Sequence, residues 1–325
     1  MTLSSGFSAG SRSVQAPLEV TLCRGCITES VHRAHAVVCD VRGRVLLSAG
    51  SSGFETFIRS ALKPIQALPF LSSGAADQMD AGDRGIAISC GSHSGTNIHA
   101  REAFRLLWKA DLDASLLQCP IPAHAESPLQ HNCSGKHAAF LVTSRKMGWT
   151  LDNYLQSDHP LQMEVNRRVA ELLGLPAEEL VAARDDCGAP TLRLQLAQMA
   201  LLYAHLGASN HAELEQISRA MLAHPDLVAG EGRFDTELMR RSHGQVLSKG
   251  GAEGIQCLTR VGEGLGVAIK VEDGSRRAKQ AVALYLLREL DWLTPMGLEE
   301  LEEQVLVVNP GVTLEVSGPL EFRKS

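Results

Sequence analysis

No run of apolar residues in this 325-residue chain approaches the roughly 18 that a membrane-spanning helix needs, so no such helix is expected. Nor is there a run of lysines and arginines. The formal charge is −6, with acids and bases scattered throughout, and a surface that tracks phosphates is not expected. The first sixteen residues, MTLSSGFSAGSRSVQA, lack a basic start followed by an apolar segment. They read as a flexible tail ahead of a single domain over 17–325, and not as a signal peptide; a cytoplasmic protein is expected. No disulfide framework is expected either. Eight cysteines are spread over a large chain, and thiols in the cytoplasm mostly stay reduced. The one close pair is Cys23 and Cys26, in CRGC. A redox pair of that spacing usually opens a helix after a strand, whereas both flanks here read as strands, so buried or exposed thiols are the plainer reading. Internal repeats are absent.

What is present is a pattern of strands, then helices, then strands again. LEVTL, ESVHRAHAVVCD and RVLLSAG, within 18–49, form a β-meander with a turn at Val41-Arg42-Gly43-Arg44. Residues 59–72 read as one helix with Pro64 in its first turns, where proline is tolerated. RGIAISCGSHSG reads as a buried strand ending in a polar loop, and 97–110 as a helix. From about 135 to 243 apolar residues recur three or four apart, in MEVNRRVAELLGL, TLRLQLAQMALLYAHL and AELEQISRAMLAH, so this third reads as nearly all helical. GQVLSKGG, GIQCLTR and GLGVAIKVED return to strand, SRRAKQAVALYLLREL is a long helix, and VTLEVSG a last strand. The expectation is an α+β fold: an antiparallel sheet built from about 17–95 and 245–325, flanked by helices, with a helical part over about 97–243. A small-ligand cleft is expected where the two parts meet.

The chemistry-bearing residues fall in five segments. RSALKPIQALP holds Ser60 and Lys63, three apart and so on one face of a helix. A lysine can take a proton from a serine only if it is neutral, which burial or a nearby cation brings about. The competing reading makes Ser60 a helix cap and lets Lys63 reach water. Two further segments supply companions: Ser92-His93-Ser94 after a buried run, and Lys249-Gly250-Gly251 at the end of a strand, whose glycines permit close approach. HNCSGKHAAF and ARDDCGAP hold His131, Cys133, Lys136, His137, Asp185, Asp186 and Cys187. By residue type these suit zinc, but with no Cys-x-x-Cys pair the spacing is not specific, and buried thiols beside a helix start are the plainer reading.

In order along the chain, RSALKPIQALP, ISCGSHSG, HNCSGKHAAF, RDDCGAP and SKGGAEG resemble the motifs of the asparaginase II family, the class 3 L-asparaginases, from about residue 18 to about 290. The resemblance implies a fold like those of serine β-lactamases and glutaminases, and hydrolysis of L-asparagine to aspartate and ammonia. It implies two serine–lysine pairs, Ser60 with Lys63 and Ser92 with Lys249 (Lys270 as the fallback). It also implies a zinc ion held by Cys133, Lys136 and Cys187; a lysine ligand must lose its proton, which a neighbouring dication favours. On that basis Ser60 attacks, Lys63 takes its proton and Ser92 relays between the lysines, although the two serines could exchange roles. Arg59 would pair with the substrate carboxylate, Asp185 or Asp186 with its ammonium, and His93 would lie at the substrate; a surface ion pair among Arg59 and the two aspartates is the competing reading. A homodimer is expected. Glutamine, a D-amino-acid amide or a β-lactam would suit a similar site, and a non-catalytic binder of an amino acid or metal is the alternative of another class.

Overall fold

Alternation decides the first strand. In β1 (Leu18–Arg24) Leu18, Val20 and Leu22 are buried while Glu19 is exposed, as in a strand with one wet face. β2 (Ile27–Asp40) changes character along its length: its first half is mostly exposed, and its last seven residues are all buried. That second half has a core on each face. Ala34, Ala36 and Val38 join one apolar cluster, Val37 and Cys39 the other. The computed structural model describes residues 15–322 apart from 124 and 209. Of the segment read as a tail, 1–14 therefore lie outside the described residues. Gln15 and Ala16 are already joined to the sheet, through Ser48 Oγ at 2.9 Å and the Gly50 N–H at 3.0 Å.

The remaining strands are β3 (Val45–Ala49), β4 (Glu55–Phe57), β5 (Val181–Arg184), β6 (Pro190–Gln195), β7 (Val246–Gly250), β8 (Ile255–Arg260), β9 (Leu265–Val271), β10 (Val307–Asn309), β11 (Val312–Ser317) and β12 (Glu321–Phe322). A nine-stranded antiparallel sheet runs β10-β11-β1-β2-β9-β8-β7, with β3 and β12 continuing from β2. Leu22 stands opposite Leu314, and Val37 opposite both Ala268 and Ser48. A separate sheet, β4-β6-β5, lies in the helical part. The helices are α1 (Lys63–Gln66), α2 (Leu68–Ser72), α3 (Ala75–Gln78), α4 (Gly82–Ser89), α5 (Asn97–Lys109), α6 (Ser134–Met147), α7 (Pro160–Leu173), α8 (Leu196–Gly207), α9 (Ala212–Ala223), α10 (Pro225–Val228), α11 (Phe234–Arg241), α12 (Arg276–Glu289) and α13 (Pro295–Leu306). Helix α12 covers one face of the large sheet with Ala278, Val282 and Leu286, and α8 covers the other with Ala200, Tyr203 and Leu206. The α8 contact is close. A Cβ built on Gly266 of β9 would stand 1.9 Å from Ala200 O and 2.3 Å from Ala204 N.

The α+β class and the antiparallel sheet with its helical part are as expected. Three local expectations are corrected. GIAIS is helix α4 and not a strand: every residue from Gly85 to Ser89 is buried, and a short run with apolar contacts all round has no periodicity to separate the two. Residues 59–72 are not one helix but a 3-10 turn, Arg59–Leu62, followed by α1 and α2. Pro64 and Pro69 each sit in a first turn, so the second proline ends one helix and starts the next. The stretch TLRLQLAQM is half strand. Leu192 and Leu194 are buried and Arg193 exposed in β6, and a capping box between Gln195 and Gln198 starts α8. The hairpin between β1 and β2 carries Gly25 and Cys26 at φ +54° and +66°, the geometry of a tight hairpin turn with Cys26 exposed.

Candidate active site

The end of β7 meets the helical part at an open pocket of about 260 Å³. Ser60, Ser92 and Asn132 line it from the helical part. Gly250 to Gly254, Gln256, Arg233, Arg276 and Lys279 line it from the sheet side.

Ser92 is the centre of the arrangement. It follows α4 in a loop pinned at both ends: its own N–H donates to Val228 O at 2.7 Å, and the His93 N–H to Asn132 O at 3.2 Å. Two lysine amines reach its hydroxyl, Lys63 Nζ at 3.0 Å and Lys249 Nζ at 2.8 Å. Both lysines are buried, at 1% and 0% exposure, which is rare for lysine without a specific partner. Lys63 also donates to Gly91 O at 2.5 Å and to Asn132 O at 3.3 Å, and Lys249 to Gly250 O at 2.7 Å. Burial pulls the Lys249 amine down to about 7; the charges of Lys63 and Lys279 add to this, and Asp235 opposes it. A neutral Lys249 can accept the Ser92 proton while Lys63 donates to the Ser92 oxygen. Of the two lysines considered beside Ser92, Lys249 is the one in contact. Lys270 Nζ turns to Glu253 O at 2.5 Å.

Ser60 lines the same pocket. Among the described residues its hydroxyl makes no hydrogen bond, to Lys63 or to any other group, although the two are three apart. Ser60 sits in the 3-10 turn while Lys63 opens α1, and the lysine side chain turns inward to the 91–92 loop. The Ser60 backbone N–H is likewise unpaired among the described residues.

Asp235, near the start of α11, was not singled out from the sequence. It accepts from Ser248 Oγ at 2.7 Å, the Gly250 N–H at 2.9 Å and Gln256 Nε2 at 2.8 Å. Burial pushes its carboxyl up, but Lys249, Lys279 and these donors outweigh that and hold it below the usual carboxylate range. Lys279, from α12, donates to Gly251 O at 2.7 Å and Ile255 O at 2.9 Å, and burial lowers its amine to about 8. An acid in a first helical turn is an ordinary sequence feature, so nothing in the local pattern marked Asp235. Asn132 stands beside Cys133 in HNCSGKHAAF, where an asparagine next to a candidate ligand carries no signal of its own. The close approach at Gly250 and Gly251 is real, but the groups in that space are Lys279 Nζ and Ile58 O, 2.9 and 2.8 Å from where a Cβ would stand.

The residues assigned to the amino-acid end of the substrate are engaged elsewhere. Arg59, at φ +53°, donates from Nε to Asp185 Oδ1 at 2.9 Å and from a terminal nitrogen to Asp186 Oδ2 at 2.6 Å. None of the three is among the residues lining the pocket. His93 is buried and stacked on His99, with centroids 4.8 Å apart. Its Nδ1 accepts from the Gly95 N–H at 3.2 Å, so Nε2 carries the proton and donates to Ser134 Oγ at 3.1 Å. Both ring nitrogens therefore hold the loop and not a ligand.

Cys133, Lys136 and Cys187 do converge. All are at most 5% exposed. Lys136 Nζ lies 3.3 Å from Cys187 Sγ, and the Cys133 thiol beside them donates to Asn132 Oδ1 at 3.3 Å. The neighbouring Cys133, with the Lys136 charge and the adjacent His137, holds Cys187 far below an ordinary thiol against the effect of burial. His137 Nε2, next to this cluster, is buried without a hydrogen-bond partner. Among the described residues no three His, Cys, Asp or Glu side chains converge on a metal geometry, so a metal site here requires the lysine. Once Cys133 and Lys136 lose their protons on binding, two thiolates and a neutral amine, with the imidazole nitrogen of His137 beside them, would make a donor set that fits zinc. Asn132 links the cluster to the pocket: its side chain accepts from Cys133 Sγ at 3.3 Å, while it also lines the pocket wall.

Comparison with solved structures finds similarity to a β-lactamase from Mycobacterium bovis, 14% identical over 80% of this chain and 95% of that chain, with a TM-score of 0.45. A putative β-lactamase from Bacteroides dorei is 12% identical over 78% and 85% of the two chains, TM-score 0.35. The native form of Mglu, crystallised in 4.3 M NaCl, is 12% identical over 80% of this chain but only 61% of its own, TM-score 0.42. No curated protein sequence matched the chain. No helix among the described residues is long and apolar enough to cross a membrane. The family model for L-asparaginase II matches residues 20–322, past the point near 290 where the motif resemblance stops. With nearly the whole chain so matched, this protein belongs to the L-asparaginase II family, whose members are hydrolases acting on amides.

Proposed function

We propose that this pocket hydrolyses the side-chain amide of L-asparagine to L-aspartate and ammonia through a serine ester. The observation that carries the reading is the Ser92 hydroxyl held between two buried lysine amines, one of which is neutral above a pH of about 7. The Ser92 proton passes to Lys249, and the oxygen attacks the amide carbon. Lys249, now charged, returns that proton to the departing nitrogen, which leaves as ammonia. A water molecule then attacks the ester with Lys249 again as base, releasing aspartate and restoring Ser92. Lys63, anchored by two carbonyl oxygens, donates to the Ser92 oxygen and keeps it aimed. The unpaired Ser60 N–H is a donor for the oxyanion.

A second assignment has Ser60 attack while Ser92 carries its proton to Lys249. It is favoured by the free Ser60 hydroxyl on the pocket wall. Trapping the ester with a slow amide substrate and locating it by mass spectrometry separates the two. Mass added at Ser92 supports the first, mass added at Ser60 the second. The reaction class itself is tested by ammonia release from asparagine and glutamine. Release from asparagine that disappears in Ser92→Ala is the expected result, and the absence of release from any amide by the intact protein would refute the reading.

Cys133, Cys187 and Lys136 would hold a zinc ion, which when bound supplies a fixed positive charge beside Asn132 that orients the substrate and polarises its neighbours. Purified protein should carry close to one zinc per chain by elemental analysis, and Cys187→Ser should lose most of it. Equal zinc in both proteins would remove these residues from the metal site.

A further inference from the structure

The pocket contains charges of both signs that the reaction above leaves unused. Arg233, the residue before α11, and Arg276, the first residue of α12, face the space shared by Ser60 and Ser92. Neither guanidinium is paired with a carboxylate among the described residues. Arg276 is exposed and Arg233 half-buried, with its charge further disfavoured by Arg276 nearby. Two guanidiniums close together, one of them partly out of water and without an acceptor, are costly unless an anion joins them. The nearest acid, Asp235, cannot serve, because it is committed to Ser248, Gly250 and Gln256.

Glu253 provides the other sign. It lines the same pocket in a left-handed conformation, φ +55°, and its carboxylate lies over Gly274. A Cβ at Gly274 would stand 2.8 Å from Glu253 Oε2, so only glycine leaves the carboxylate there. Lys270 meets the Glu253 backbone oxygen and not its carboxylate, which has no ion pair among the described residues. The side expected from the sequence to bind these charges, Arg59 with Asp185 and Asp186, is internally paired and outside the pocket lining.

We infer that Arg233 and Arg276 bind the α-carboxylate of the substrate and Glu253 its α-ammonium, leaving the side-chain amide at the serines. This assignment rests on the proposed amide hydrolysis at the same pocket and makes the preferred substrate a free α-amino acid, zwitterionic at its head.

The test compares L-asparagine with two truncated amides. Succinamate keeps the carboxylate and lacks the ammonium; 3-aminopropanamide keeps the ammonium and lacks the carboxylate. In Arg276→Gln, KM for asparagine and for succinamate should rise by about 10- to 100-fold, the loss expected for a charge-assisted hydrogen bond, while kcat/KM for 3-aminopropanamide stays within about twofold. In Glu253→Gln the pattern should reverse, with succinamate unaffected. Arg276 and Glu253 are both exposed, so these variants are expected to fold. Equal losses on all three amides, or unchanged KM for asparagine, would overturn the head-group assignment while leaving the hydrolase in place. Calorimetric binding of L-aspartate separates the two readings in the other direction. If the intact protein releases no ammonia yet binds L-aspartate, and Arg276→Gln weakens that binding about tenfold or more, the head-group site stands and the hydrolysis fails.

Discussion

Replacing Lys249 by methionine should lower kcat for ammonia release by about 10²- to 10⁴-fold, the range for removing a positioned general base. The side chain keeps its length and apolar stem, so the strand and its packing survive. The pH dependence is the sharper signature. With burial holding the Lys249 amine at about 7, the basic form is scarce below that pH and dominant above it. Activity of the intact protein should therefore rise with pH through about 7 and level off. Lys249→Arg, which stays charged at any accessible pH, should be inactive throughout. A flat profile across pH 6 to 8, or near-normal turnover in Lys249→Met, would remove this lysine as the base.

Gly266→Ala should produce the largest loss of stability from a single methyl group. The added carbon would meet Ala200 O and Ala204 N, which are backbone atoms of α8 and cannot rotate away as a side chain can. Either the helix lifts off β9 or the strand bends, and each opens the core formed by Tyr203, Ala268 and their neighbours. Overpacking of this kind costs roughly 1–3 kcal/mol, with backbone clashes at or above the upper end. At about 2–4 °C per kcal/mol, a cost of about 3 kcal/mol should lower the melting temperature by around 6–12 °C. Thermal unfolding followed by circular dichroism measures this directly, and an unchanged midpoint would show that the helix has room to shift.

Much of this molecule was legible in its sequence because the informative patterns were local. The alternation in 18–49 specified the meander, and the strands around Lys249 were equally plain. The motif resemblance grouped Ser92 with Lys249, and Cys133 with Lys136 and Cys187, and the structure places Ser92 against Lys249 and Lys136 against Cys187. What could not be read was direction. The three-residue spacing of Ser60 and Lys63 suggested contact on one helix face, but the helix is interrupted there, and the amine points to a loop thirty residues away in sequence. Arg59, Asp185 and Asp186 pair with one another, the reading that competed with their binding of substrate. Arg233, Asp235, Glu253 and Arg276 carry no local mark, because their meaning comes from two helix starts and a turn brought to the same opening. GIAIS failed for a different reason: surrounded by apolar contacts on all sides, it left no wet face to betray its period.

The pairing of β11 with β1 has a consequence for how the chain is made. A ribosome delivers Leu18 long before Leu314, yet the two belong to one apolar cluster, together with Val282 and Leu286. The helical part can condense as it emerges, since its cluster draws mostly on nearby segments. The first hairpin must wait with one border open until nearly the last residues arrive, and an open strand border invites pairing with another nascent copy. Chaperone dependence during synthesis should therefore concentrate on β1 and β2, and removal of β11 should harm yield far more than it harms chemistry at the pocket.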